Sequence, residues 1–120
     1  MKPDFKPGKN IAVKVPDHEF DKTVFFYEHI LGLECKRPEV TGGYESIVFE
    51  FGGKNLWIDK ISGISQAEVW LEIETSSAEH AAQYLREQGC VIRKNIESLT
   101  KSLNGFWLSS PSNIIHLIVE

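Results

Sequence analysis

Apolar and polar positions in the first part of the chain follow the pattern of a strand and then a helix. Residues 11–15 form an apolar strand in which every second side chain faces a core. Apolar residues then recur with the period of an α-helix, at Phe20, Val24, Tyr27 and Leu31. Gly32 follows at the position where a left-handed residue ends a helix. The pattern predicts a short amphipathic helix from about Phe20, directly behind the strand.

Three further strands are predicted after this helix. They cover residues 34–37, 47–51 and 55–59, and the last two alternate as half-buried strands. Gly52 and Gly53 stand between them and predict a tight hairpin turn. The first part of the chain therefore has the order β-α-β-β-β.

The second part of the chain repeats this order. Strands are predicted at residues 67–74, 91–94, 106–109 and 114–119. Between the first two lies a helix with Ser76 and Glu79 at capping-box spacing, Gly89 as its end, and an apolar stripe of Ala78, Ala82 and Leu85. We interpret the chain as one α+β domain of two βαβββ modules, about residues 9–61 and 66–120. An unrelated α+β domain with two helices is the alternative.

The charge and hydropathy of the chain argue against two classes of partner, nucleic acids and membranes. The 120 residues carry a formal charge of −4 with a pI near 5.6, which argues against a nucleic-acid partner. Neither a signal peptide nor a membrane span is apparent, so we expect a cytoplasmic protein without a membrane partner. Cys35 and Cys90 form neither a CxxC pair nor a disulfide framework, and both are interpreted as small hydrophobic residues on strands.

Four segments of the sequence resemble one superfamily. They are residues 10–15, Pro16-Asp17, Phe26-Tyr27 with Leu31-Gly32-Leu33, and residues 110–117. Together with the two-module layout they resemble the vicinal-oxygen-chelate superfamily, which includes glyoxalases, bleomycin resistance proteins and extradiol dioxygenases. The resemblance implies a glyoxalase-like fold, in which two modules form curved, mostly antiparallel sheets around a cavity.

The resemblance also implies where a metal would bind. Active members of the superfamily place one ligand on the first and one on the last strand of each module. These positions fall on Asn10, Trp57, Glu68 and His116; the assignment of His116 requires a turn one residue shorter than the family's. An indole has no lone pair to offer and an asparagine offers only an amide oxygen, so only Glu68 and His116 are good donors. Glu50 or Asp59 could complete a different set.

A small-molecule site without a metal is therefore the preferred interpretation. The predicted ligand-binding residues are Asn10, Trp57, Glu68, Trp70, Trp107 and His116. Indoles and carboxylates together favour a planar or cationic ligand, and no cofactor is expected. The indoles of Trp70 and Trp107 could instead fill the cavity as core.

Three interpretations of the function remain open from the sequence. One is a non-catalytic small-molecule-binding protein of the bleomycin-resistance type, with a degenerate metal site; the resemblance implies that it is a homodimer. Another is a metal-dependent lyase, isomerase, transferase or dioxygenase that binds a divalent metal through Glu68 and His116, with Glu68 or Glu50 moving a proton. The third is a domain whose cavity is filled by its own side chains and whose surface binds a protein partner.

Overall fold

The structure is a computed structural model that describes residues 2–37, 43–94, 96–99 and 103–120. It is a mixed α+β fold, as predicted. The strands are β1 (Lys6–Pro16), β2 (Cys35–Lys36), β3 (Ser46–Phe51), β4 (Lys54–Ile61), β5 (Glu68–Glu74), β6 (Val91–Arg93), β7 (Gly105–Ser109) and β8 (Ile115–Val119). The α-helices are α1 (Phe20–Phe25) and α2 (Ala78–Glu87). Within the described residues, no helix is long and apolar enough to cross a membrane.

The chain forms two compact units. The first module is Lys9–Val69, and the second module is Trp70–Glu120 together with the N-terminal segment Met1–Gly8. The strand order is β2-β3-β4-β1 in the first module and β5-β8-β7-β6 in the second. In each module the first and last strands pair in parallel and the other two pairings are antiparallel. The prediction of mostly antiparallel sheets is therefore confirmed.

The core of the first module lies between its sheet and the first helix. Its buried members are Val15, Phe20, Ile47, Phe49, Leu56 and Ile58. Gly52 and Gly53 have φ angles of 63° and 85°, which only glycine adopts at little cost, so the predicted hairpin turn between β3 and β4 is confirmed.

The first helix departs from a regular α-helix in its second half. After α1, residues Phe26–Ile30 form a π-helical turn, and the N–H of Leu31 donates to the carbonyl of Phe26 at 2.9 Å. This turn holds an extra residue, so it rotates Leu31 away from the stripe started by Phe20. The predicted core position of Leu31 is wrong: its side chain is 52% exposed, and Leu33 packs against the core instead. Gly32, with φ 74°, ends the helix as predicted.

In the second module α2 begins one residue later than the capping pattern predicts. Ser77 is the N-cap, and its hydroxyl accepts from the N–H of His80 at 3.2 Å. Ser76 does not cap the helix because its hydroxyl and N–H both donate to the carboxylate of Asp4. The helix buries Ala78 and Ala81 and ends before Gly89, which has the expected positive φ of 83°.

Candidate functional site

The first module presents a polar face on the side of its sheet opposite the core. Ala12 lies opposite Trp57, and Lys14 lies opposite Asp59. Directly paired residues point to the same side of a sheet, while the alternate residues of β1 and β4 pack in the core. The chemically active side chains on this face are Asn10, Lys14, Glu50, Asn55, Trp57 and Asp59. Asn10, Trp57, Asp59 and Glu50 therefore lie on one face of this sheet.

Asn10 and Trp57 are joined by a hydrogen bond. The indole N–H of Trp57 donates to Oδ1 of Asn10 at 2.8 Å, and Nδ2 of Asn55 donates to the same oxygen at 3.1 Å. An amide oxygen has two lone pairs, so these donors occupy both. The indole is held against the strand by this contact, and the oxygen of Asn10 is already satisfied.

A buried ion pair lies on the same face, two residues further along β1 and β4 than Ala12 and Trp57. Nζ of Lys14 lies 2.7 Å from Oδ2 of Asp59, and both side chains are only 5% exposed. Lys14 also donates to the hydroxyl of Tyr44 at 2.9 Å, and Ser46 donates to Oδ1 of Asp59 at 2.6 Å. Both carboxylate oxygens are therefore engaged, and Asp59 does not complete a metal-ligand set.

Glu50 lies at the other end of this face and is also paired. Its Oε1 lies 2.9 Å from Nζ of Lys36, and its Oε2 accepts from the N–H of Gly53 at 2.5 Å. The hydrogen bond from Lys36, followed by the one from Gly53, lowers the pKa of Glu50 below its ordinary value. A general base for neutral pH needs a pKa raised toward 7, so this carboxylate is poorly suited to moving a proton.

The corresponding face of the second module is aromatic. The rings of Trp70 and Trp107 meet edge to face with centroids 5.4 Å apart. The indole N–H of Trp107 donates to the carbonyl of Glu97 at 3.0 Å, which fixes that ring. Leu117 lies directly opposite both Trp107 and Glu72, so it shares their face. Trp70 and Trp107 thus come together as a pair of half-buried indoles.

His116 does not share this face, and its predicted placement is wrong. It pairs with Leu71 on β5 and with Leu108 on β7, on the side of the sheet covered by α2. The turn before β8 is the cause: Asn113, with φ 60°, closes it through its N–H to the carbonyl of Ser110. In the register that results, Leu117 faces the indoles. A shift of one residue moves every side chain of a strand to the other face.

The donors present do not fit a metal at the positions that the resemblance implies. Asn10 has no lone pair left, Trp57 offers none, and His116 points toward α2. Glu68 is the first residue of β5 and its side chain is exposed. Across the described residues, no three His, Cys, Asp or Glu side chains are grouped so that they could hold a metal ion. We therefore derive no metal-assisted step.

Two residues of the polar face were missed as site residues from the sequence. Lys14 and Lys36 form ion pairs with Asp59 and Glu50, which the sequence suggested as metal ligands and, for Glu50, as a group that moves a proton. A signal for Lys14 exists in the sequence, since a lysine in the middle of an apolar strand needs a partner when it is buried. The partner itself depends on the pairing of β1 with β4.

Comparison with known proteins gives structural matches only. No protein-family model and no curated protein sequence matches the chain. Its structure is similar to the hypothetical protein BH1468 from Bacillus halodurans, with a TM-score of 0.69 and 16% identity, over 97% of this chain and 94% of that one. It is also similar to a Streptomyces coelicolor methylmalonyl-CoA epimerase in complex with 2-nitronate-propionyl-CoA, with a TM-score of 0.66 and 16% identity, over 97% of each chain.

A third match is a longer protein. The homoprotocatechuate 2,3-dioxygenase from Brevibacterium fuscum, in complex with 3,4-dihydroxyphenylacetate, matches 98% of this chain with a TM-score of 0.65 and 20% identity. The match covers 37% of the dioxygenase, so the chain spans little more than a third of that protein's length. These similarities, together with the strand order of each module, show that the chain has a glyoxalase-like fold.

Proposed function

We propose that the protein binds planar small molecules through its half-buried indoles, on the polar face of the first module and on the aromatic face of the second taken separately, and does not convert them chemically. The observation that carries this proposal is the hydrogen bond from Trp57 to Asn10. At two of the four positions where the resemblance places metal ligands, Trp57 is a donor and Asn10 an acceptor, and they satisfy each other. The metal site is then degenerate, because the indole of Trp57 stands where a metal ligand would be needed.

The charge balance of the first module favours a neutral planar ligand over a cation. Asp59 is compensated by Lys14, and Glu50 is compensated by Lys36. A cationic ligand gains most from a carboxylate that has no cation of its own, whereas an indole face stacks on any planar ring. The indole of Trp57 in the first module, and the pair of Trp70 and Trp107 in the second, then each supply a stacking surface, with about 0.5–1.5 kcal/mol for each ring contact.

The similar structures support a small-molecule role in general terms. The dioxygenase was solved with 3,4-dihydroxyphenylacetate, which carries a planar aromatic ring, and the epimerase was solved with a coenzyme A compound. The alternative of a metal-dependent enzyme using Glu68 and His116 gains no support from the register of β8, because His116 lies on the α2 side of the sheet. Fold alone does not choose between these activities.

Binding can be tested by quenching of tryptophan fluorescence with matched aromatic probes. We expect 3,4-dihydroxyphenylacetate or a neutral planar dye to quench with saturation, to be recovered unchanged, and to bind equally well in a chelator. Trp57→Ala should weaken binding by about three- to tenfold, the loss of one stacking contact. Phe51→Ala is the control, because Phe51 is an exposed side chain at the end of β3.

Two results would count against the proposal. One is saturable quenching that disappears in a chelator and returns with a divalent ion. The other is conversion of the probe into a product. Either would indicate a metal-dependent reaction rather than simple binding.

We also propose that the chain forms a homodimer through the outer side of its first helix. Four apolar side chains between 41% and 63% exposed are grouped there, namely Phe25, Phe26, Ile30 and Leu31. Neighbouring exposed apolar residues of this size are typical of an interaction surface. Light scattering should give a dimer for the natural chain and a monomer for Ile30→Lys, whereas a monomer for both would refute this assignment.

A further inference from the structure

The second module contains a cavity on the side of its sheet that faces α2. Its volume is about 330 Å³, which lies at the lower end of the range for small-molecule sites. Most of its lining is apolar, and it includes Phe5, Ile73, Leu85, Leu108, Ile118 and His116. All of these residues belong to the second module, so the cavity does not depend on how the two modules are arranged.

The lining of the cavity differs from the core of the first module. In the first module the space between helix and sheet is filled by Phe20, Tyr27 and Phe49. In the second module α2 contributes Leu85 to the lining of the cavity, and the N-terminal segment contributes Phe5. The apolar space between this helix and its sheet is open to solvent.

His116 gives the cavity a directional polar group. Its Nδ1 lies 3.0 Å from the carbonyl oxygen of Ile114. A carbonyl can only accept, so Nδ1 carries the proton and Nε2 of the neutral ring carries the lone pair. A molecule in the cavity with a hydroxyl group could donate to this nitrogen. The thiol of Cys90 also lines the cavity and serves as a chemical reporter.

We propose that this cavity is a second binding site, for a small aromatic molecule with one hydroxyl donor, of the phenol class. The apolar side chains contact the ring, and Nε2 of His116 accepts from the hydroxyl. The site lies on the opposite side of the sheet from Trp70 and Trp107. It is therefore independent of the planar-ligand site proposed above, and either proposal can fail without the other.

The first test is protection of Cys90 from a thiol reagent. In Cys35→Ser, phenol should slow the reaction of Cys90 with a disulfide reagent in a saturable way. In Cys90→Ser the reaction of Cys35 should be unaffected, because Cys35 lies on β2 of the first module. Equal rates for Cys90 with and without millimolar phenol would overturn the proposal.

The second test distinguishes the contribution of the aromatic ring to binding from that of the hydroxyl group. Anisole has the same ring without a donor, so phenol should bind up to about tenfold more tightly than anisole, as expected for one hydrogen bond. His116→Leu should remove this preference and leave anisole binding intact. Equal preference in the natural chain and in His116→Leu would overturn the role of His116.

If His116→Leu does not fold, NMR spectra of the natural chain test the same binding site. Both probes should shift the methyl NMR signals of Ile73 and Ile118, and phenol alone should shift the Nε2 signal of His116. Shifts confined to the indole signals of Trp57, Trp70 and Trp107 would place the probes at the other site and refute the cavity assignment.

Discussion

The buried pair of Lys14 and Asp59 allows a quantitative test of the polar face. Both side chains are 5% exposed, and their charged atoms lie 2.7 Å apart. Lys14→Met keeps most of the volume of the side chain but leaves the carboxylate of Asp59 buried without its cation. Removing one partner of such a pair costs about 3–5 kcal/mol. For a chain of 120 residues, at roughly 4 °C per kcal/mol, the melting temperature should fall by about 12–20 °C.

The assay is thermal and urea unfolding of three variants. Lys14→Met/Asp59→Leu removes both charges and should recover most of the lost stability, to within about 2 kcal/mol of the natural chain. Lys36→Met is the matched control, because it removes a lysine from a pair whose side chains are 44% and 34% exposed. Exposed pairs contribute little, so its melting temperature should stay close to that of the natural chain. If Lys14→Met is as mild as Lys36→Met, the burial of the pair is refuted.

Three further predictions concern single contacts. In Lys36→Met the pKa of Glu50 should rise toward its ordinary value, as followed by carboxyl NMR signals; an unchanged pKa would exclude the hydrogen bond from Lys36 as the main cause. The hydrogen bond from Ser76 lowers the pKa of Asp4, so its stabilising effect is complete above the ordinary pKa near 4 and is lost as the pH falls through the lowered value. Unfolding curves of Asp4→Asn should depend less steeply on pH in that acidic range, and an identical slope would contradict this. Ser77→Ala should cost about 1 kcal/mol in urea unfolding through loss of the α2 N-cap, and no loss would contradict the cap assignment.

The sequence predicted those parts of the fold that depend on local backbone chemistry. Gly32, Gly52 and Gly89 stand where a positive φ is needed, and they mark the ends of both helices and one hairpin. Leu31 was misplaced because the π-helical turn before it changes the phase of the helix, and nothing in the spacing of apolar residues signals that turn.

The site was harder to predict because it depends on strand register. Asn10 and Trp57 were correctly placed on one face, since the alternation in β1 and β4 is unambiguous. His116 was misplaced because the turn before β8 decides which face each residue takes, and an error of one residue exchanges the faces. The partners of Asp59 and Glu50 come from other strands, so neither ion pair could be read from spacing alone.

Asn10 and Trp57 satisfy each other at two of the positions where the resemblance places metal ligands. The most direct test is a metal inventory of protein purified without chelators, followed by calorimetric titration with nickel, zinc, iron and manganese ions. We expect no stoichiometric ion and no saturable heat in the natural chain. A divalent ion bound in a fixed ratio to the chain and lost in Asn10→Ala would contradict this expectation.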